Sequence, residues 1–116
     1  MCIYTCNTFN TFYLMVRIDI DAVLKESIRL FPPAPAFSLK PHEDTVIGGK
    51  YKISTTDNFT ILPSVLHKDP TVWVDPDTFS PERMLPENFA KLPAHAWKPF
   101  GNGARSCIGR PFAMQV

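Results

Sequence analysis

Several absences bound this chain before any motif is considered. No charge sign dominates: 12 Lys+Arg face 11 Asp+Glu, a formal charge of +1. The basic residues are scattered rather than striped, which excludes a nucleic-acid-binding reading. No long hydrophobic run is present. The longest, Phe12 to Val16, falls far short of the ~20 residues that span a bilayer, so no transmembrane segment is expected. Met1 to Val16 holds no basic residue, and a secretory signal needs a charged start. Cysteine is scarce and odd in number, with Cys2 and Cys6 far from Cys107. A disulfide framework is therefore not expected, and an intracellular, cytoplasmic, reducing location fits best. Cys2 and Cys6 would give zinc only two of its four ligands. His42, His67 and His95 lack the short spacing that puts two imidazoles on one helix face. They are expected on the surface or in loops.

Proline, by contrast, is abundant: 12 of 116 residues, from Pro32 to Pro111, about twice the usual ~5%. Long helices are excluded beyond Phe31. The length allows one domain at most, with one modest core. Residues 1–17 differ in composition from everything downstream, and 1–19 are set apart as a leader. After it, Ile20, Leu24, Ile28 and Phe31 recur at helical spacing and predict an amphipathic helix of about twelve residues, capped by Asp19 or Asp21 and stopped by Pro32-Pro33. Short strands are expected at Phe37–Leu39, Thr45–Ile47, Tyr51–Ile53 and Phe59–Leu62, with Gly48-Gly49 turning a hairpin. Ser64 to His67 predicts one helical turn. From Asp75 to Pro99, five prolines predict irregular coil. A helix should begin after Cys107, with Pro111 in its first turn.

The most informative stretch is Phe100-Gly101-Asn102-Gly103-Ala104-Arg105-Ser106-Cys107-Ile108-Gly109. Gly101 and Gly103 permit sharp bends and close approach to a flat ligand. Cys107 is delivered to a helix start, where backbone amides and nearby Arg105 and Arg110 favour a thiolate able to ligate metal. Arg105 suits a carboxylate partner, and Phe100 can pack beside the sulfur. A small buried cysteine is the plainer alternative. Against it, five specified residues in this pattern arise by chance on the order of once in ten million starting points.

This loop resembles the haem-ligand pattern of the cytochrome P450 family, F-x-x-G-x-R-x-C-x-G, with every specified position filled. Glu26-Ser27-Ile28-Arg29 resembles the E-x-x-R of that family's K helix. Phe79-Ser80-Pro81-Glu82-Arg83 resembles the segment whose arginine joins the pair. Taken alone, Glu26 and Arg29 would be an ordinary helix-surface ion pair. The resemblance implies instead a buried triad of Glu26, Arg29 and Arg83 that serves folding and haem retention. It covers residues 20–116 and looks most like the soluble fatty-acid hydroxylase branch fused to a reductase.

A mainly α fold with small β-sheets is implied, this chain being its C-terminal, haem-ligand part. Haem is the implied cofactor. Cys107 would ligate the iron, and Phe100, Gly101, Gly103, Arg105, Ile108 and Gly109 would line the haem. Ala34, Pro35 and Ala36 would touch an apolar substrate. The implied activity is monooxygenation, one atom of O2 entering the substrate, a fatty acid for that branch. Thiolate ligation favours O–O cleavage, and electrons would come from an FAD/FMN reductase outside this chain. The family's oxygen-activating helix is expected before residue 20, and the distal wall of the pocket is unmatched. The alternative reading is accordingly a truncated, non-catalytic fragment that binds haem weakly or not at all.

Overall fold

The computed structural model describes residues 20–115. The leader with Cys2 and Cys6, the apolar run at 12–16 and the Asp19 cap lie outside the described residues. Helix α1 covers 20–30 and ends before Pro32-Pro33, as expected where proline excludes helical geometry from the residue before it. The face it buries differs from its apolar stripe. Ile20 is 42% and Phe31 77% exposed, whereas Ala22, Glu26, Arg29 and Leu30 are buried. Ala22 lets large side chains approach the helix closely, and the charged pair below it finds its polar partners only on that side.

Beyond α1 the chain forms two antiparallel pairs, one nested inside the other in sequence. Strand β1 (Phe37–Leu39) pairs with β4 (Phe59–Ile61) in the register Phe37↔Ile61 and Leu39↔Phe59. Ser38 and Thr60, opposite each other, bring their hydroxyls to 3.2 Å. Between them, β2 (Thr45–Ile47) and β3 (Tyr51–Ile53) make a hairpin with Thr45↔Ile53 in register. Its turn carries Gly48 and Gly49 at φ +60° and +69°. Helix α2 (Pro63–Leu66) follows β4, its proline in the first turn.

The segment from Asp75 to Pro99 corrects the expectation of irregular coil. A 3-10 turn covers Pro81–Met84 and helix α3 covers Pro86–Phe89, each with proline in its first turn. Proline there loses an amide that would have had no helical partner anyway. It therefore starts these short helices rather than interrupting them.

The core lies between α1 and residues 72–97: Ala22, Trp73, Met84 and Ala96 are buried together, with Val72, Leu85, Phe89, Leu92 and Trp97 packed around them. Trp97 fastens the far end. Its indole N–H donates to the Lys25 carbonyl on α1 at 3.2 Å, and its ring meets Phe89 edge-on at 5.6 Å. Met84→Ala should cost about 2–5 kcal/mol, the usual range for a cavity at a fully buried site. Val46→Ala, on the half-exposed hairpin, should stay within about 0.5 kcal/mol. Denaturant midpoints check both, and equal losses would contradict a core placed on α1.

Candidate functional site

Two buried opposite charges anchor the site. Glu26 and Arg29 are fully buried one helical turn apart on α1. The guanidinium grips the carboxylate twice, Nε to Oε2 at 2.7 Å and Nη2 to Oε1 at 2.9 Å. Its remaining N–H groups donate to the carbonyls of His67 and Pro76, both at 2.7 Å, and of Thr78 at 3.2 Å. All five guanidinium donors are thereby used. The indole of Trp73 lies 5.1 Å from the guanidinium carbon, a cation–π contact.

Arg83 brings a second cation to the same carboxylate. Its Nε lies 3.2 Å from Glu26 Oε1. That is close enough for charge pairing but off the hydrogen-bond direction, so this N–H has no hydrogen-bond partner. The rest of its guanidinium donates to Val74 at 2.7 Å and more weakly to Asp75 and Thr78. Glu26 Oε1 also accepts the Ser80 amide at 3.0 Å. Two cations thus share one anion, and carbonyl dipoles from residues 67–78 make up the difference. The sequence-chosen residues Glu26, Arg29 and Arg83 are therefore together.

The cysteine loop lies at the far end of the Pro-rich segment. Gly101 and Gly103 both sit at φ +69°, which side-chain-bearing residues rarely adopt. A β-carbon at Gly103 would meet nothing within 4 Å. The requirement at these positions is therefore backbone conformation, not room among the described residues. A short 3-10 turn covers Gly103–Arg105, and helix α4 spans Arg110–Ala113 with Pro111 in its first turn. The Cys107 amide donates to the Phe100 carbonyl at 2.8 Å, closing the loop on itself.

Phe100 is half-buried against Trp97, 6.1 Å between ring centroids. Cys107 is an exposed free thiol, so the plainer reading of a small buried cysteine does not hold. Beside it, Ile108 is 98% and Phe112 84% exposed, and Arg105 is exposed too. Gly109 lies next to the sulfur, with its would-be β-carbon 3.7 Å from Sγ. Ala34, Pro35 and Ala36 are exposed and belong to a different part of the chain. Their backbone is pinned where the Pro35 carbonyl accepts the Ser64 hydroxyl at 3.1 Å.

A haem fits this donor set. Among the described residues no group of three or more His, Cys, Asp or Glu could hold a metal by itself. A lone thiol suits a metal whose remaining ligands come with a macrocycle. The apolar side chains around it suit a flat hydrocarbon surface, and Arg105 suits its carboxylates.

One polar residue of this region escaped the sequence reading. His67 was expected on the surface or in a loop; it is fully buried. Its Nε2 accepts the Lys98 amide at 2.9 Å. Burial, seconded by the Arg29 charge, lowers its pKa to about 4, although the Arg29 backbone favours the charged ring. The signal for this was faint: His67 falls four residues after Pro63, one turn along the same face, and both are buried. His42 and His95 are exposed as expected.

Comparison with known proteins bears on this geometry. The family model described as Cytochrome P450 matches residues 20–116. Over 97 residues, 83% of this chain, it is 55% identical to a self-sufficient cytochrome P450 monooxygenase, CYP505E4, of Penicillium expansum. It is 50% identical over the same length to a bifunctional cytochrome P450/NADPH–P450 reductase of Gibberella moniliformis. The chain spans 9% of the length of each of these relatives. The crystal structure of the cytochrome P450DA heme domain superposes with a TM-score of 0.77 at 40% identity, covering 82% of this chain and 21% of that one.

Removing one partner of a buried pair leaves an uncompensated charge inside. Glu26→Gln should therefore destabilise by roughly 3–5 kcal/mol, and Arg83→Gln by clearly less, since Arg83 is partly exposed and Arg29 remains. Urea unfolding of both variants checks the order. Acid adds a second test. The folded-state pKa of His67 lies below its unfolded value of 6.5, so the unfolded chain binds the extra proton first. Its contribution is complete above pH 6.5 and is lost as pH falls toward about 4. The fall in stability across that window should be smaller in His67→Gln than in the parent; equal falls would contradict a buried neutral ring.

Proposed function

This chain belongs to the cytochrome P450 family, and from that premise we propose that it is the haem-ligating part of a haem-thiolate monooxygenase acting on an apolar substrate such as a fatty acid. The observation that carries the reading is Cys107, an exposed free thiol on a loop closed by the Phe100 carbonyl. When bound, haem supplies the oxygen chemistry, inserting one atom of O2 into substrate while the other leaves as water. This chain's residues do the holding. Cys107 would present its sulfur to the iron, and the hydrogen bond its amide donates to the Phe100 carbonyl fixes the backbone that carries it. With haem in place Arg105 would take one of its carboxylates, the otherwise exposed Ile108 would be covered and exclude water beside the thiolate, and Gly101, Gly103 and Gly109 would keep the loop free of side chains that would hold a flat ring away.

Ala34, Pro35 and Ala36 present small apolar surface for the substrate, held in place through Ser64. Electrons come from an FAD/FMN reductase; the reductase named in the Gibberella moniliformis relative supports that source. An intracellular location accords with a free thiol at the centre of the site. No helix among the described residues is long and apolar enough to cross a membrane.

A second reading concerns the chain by itself. Phe31, Ile108 and Phe112 are all more than three-quarters exposed, so little apolar surface encloses a ligand, and haem would bind the isolated chain weakly. The reduced, carbon-monoxide-bound spectrum tests both. The haem-loaded full-length protein should show the red-shifted Soret band of thiolate ligation, and Cys107→Ser should abolish it with the circular dichroism unchanged. A band that survives Cys107→Ser contradicts the proposal. A band in the full-length protein but not in the isolated chain is the outcome expected of the second reading.

A further inference from the structure

His67 stands between the buried ion pair and the cysteine loop. Arg29 Nη1 donates to the His67 carbonyl at 2.7 Å. The ring of the same residue accepts the Lys98 amide at 2.9 Å. Two residues on, the Phe100 carbonyl accepts the Cys107 amide at 2.8 Å. A backbone amide is always a donor, so the bond to Lys98 requires an unprotonated Nε2 and puts the ring proton on Nδ1. That Nδ1 is buried without a hydrogen-bond partner. The ring therefore has its orientation set from the loop side, through one acceptor atom.

We propose that His67 is a positioning residue for Cys107, tying the start of the cysteine loop to the Glu26–Arg29 pair through its Nε2. The inference rests on Cys107 being the iron ligand. The relay has little slack. His67 is fully buried, Pro99 stiffens the step from Lys98 to Phe100, and Phe100 is held by Trp97. Loss of the Nε2 acceptor leaves the Lys98 amide facing a side chain that cannot take it. The loop then loosens at its first residue, and the sulfur loses its fixed position. A glutamine at 67 carries an amide oxygen near the end of its side chain and restores the acceptor; leucine fills a similar volume and cannot.

Amide hydrogen exchange and the carbon-monoxide spectrum of the haem-loaded full-length protein test this together. H67L should speed exchange across residues 98–107 by roughly tenfold or more and move part of the spectrum from the thiolate-ligated to the thiolate-free form. H67Q should recover most of both. H67L indistinguishable from the parent in exchange and spectrum overturns the proposal, as does H67Q no better than a folded H67L. Should H67L fail to fold, nitrogen shifts of the imidazole in the parent decide. A proton on Nδ1 and none on Nε2 at neutral pH is required, and the opposite tautomer overturns it. If the parent itself lacks the thiolate band, the ligand assignment fails, whereas exchange at Lys98 still judges the role of His67.

Discussion

The Glu26–Arg29 pair is the constraint on which the described structure depends. A buried ion pair is expensive unless every donor and lone pair is met. Here the requirement is met by chain that has almost no secondary structure of its own. The carbonyls of His67, Pro76 and Thr78 converge on one guanidinium, and Ser80 donates to the paired carboxylate. This stretch closes short turns of its own, with the Val72 and Trp73 amides on the Asp69 carbonyl and the Thr78 amide on that of Asp75, but residues 68–80 form no helix or strand. The buried charge adds a requirement from outside, for oxygen atoms at fixed places. The same convergence explains why α1 buries a polar face: the helix is held where its guanidinium is satisfied, and Ala22 makes room for Trp73 and Met84 to close over it.

Function then follows from where this ordered segment ends. Trp97 pins its end to α1 through the Lys25 carbonyl, and the cysteine loop starts immediately after. The loop itself is short of packing; Cys107, Ile108 and Phe112 are exposed. Its precision comes from backbone geometry, two glycines at positive φ and one hydrogen bond across its base, set on a rigid foot. The proposed role of Cys107 as a metal ligand would be well served by this division, an ordered support below and an open face above.

The buried charge cluster and the cysteine-loop pattern were more legible in the sequence than the fold around them. The loop pattern at Phe100 to Gly109, the Glu26/Arg29 spacing and the segment ending at Arg83 could be read because residue identity at fixed spacing carries chemistry directly. The hairpin at Gly48-Gly49 and all four strands could be read from local turn and strand signals. What could not be read depended on distant partners. Apolar periodicity chose Ile20, Leu24, Ile28 and Phe31 as the packed face of α1, since hydropathy cannot register that a guanidinium will be met by three carbonyls from elsewhere in the chain. Counting prolines between Asp75 and Pro99 as breakers missed that Pro81 and Pro86 start helices. His67 looked like a loop residue because nothing within its neighbourhood in sequence discloses Lys98, its partner across 31 positions.

The proposed function and the proposed role of His67 both depend on one bond, iron to the sulfur of Cys107. X-ray absorption at the iron edge of the haem-loaded full-length protein measures it most directly. The account requires one sulfur in the iron's first coordination sphere, replaced by a nitrogen or oxygen scatterer in Cys107→Ser. An iron with only nitrogen and oxygen neighbours in the unaltered protein would contradict it.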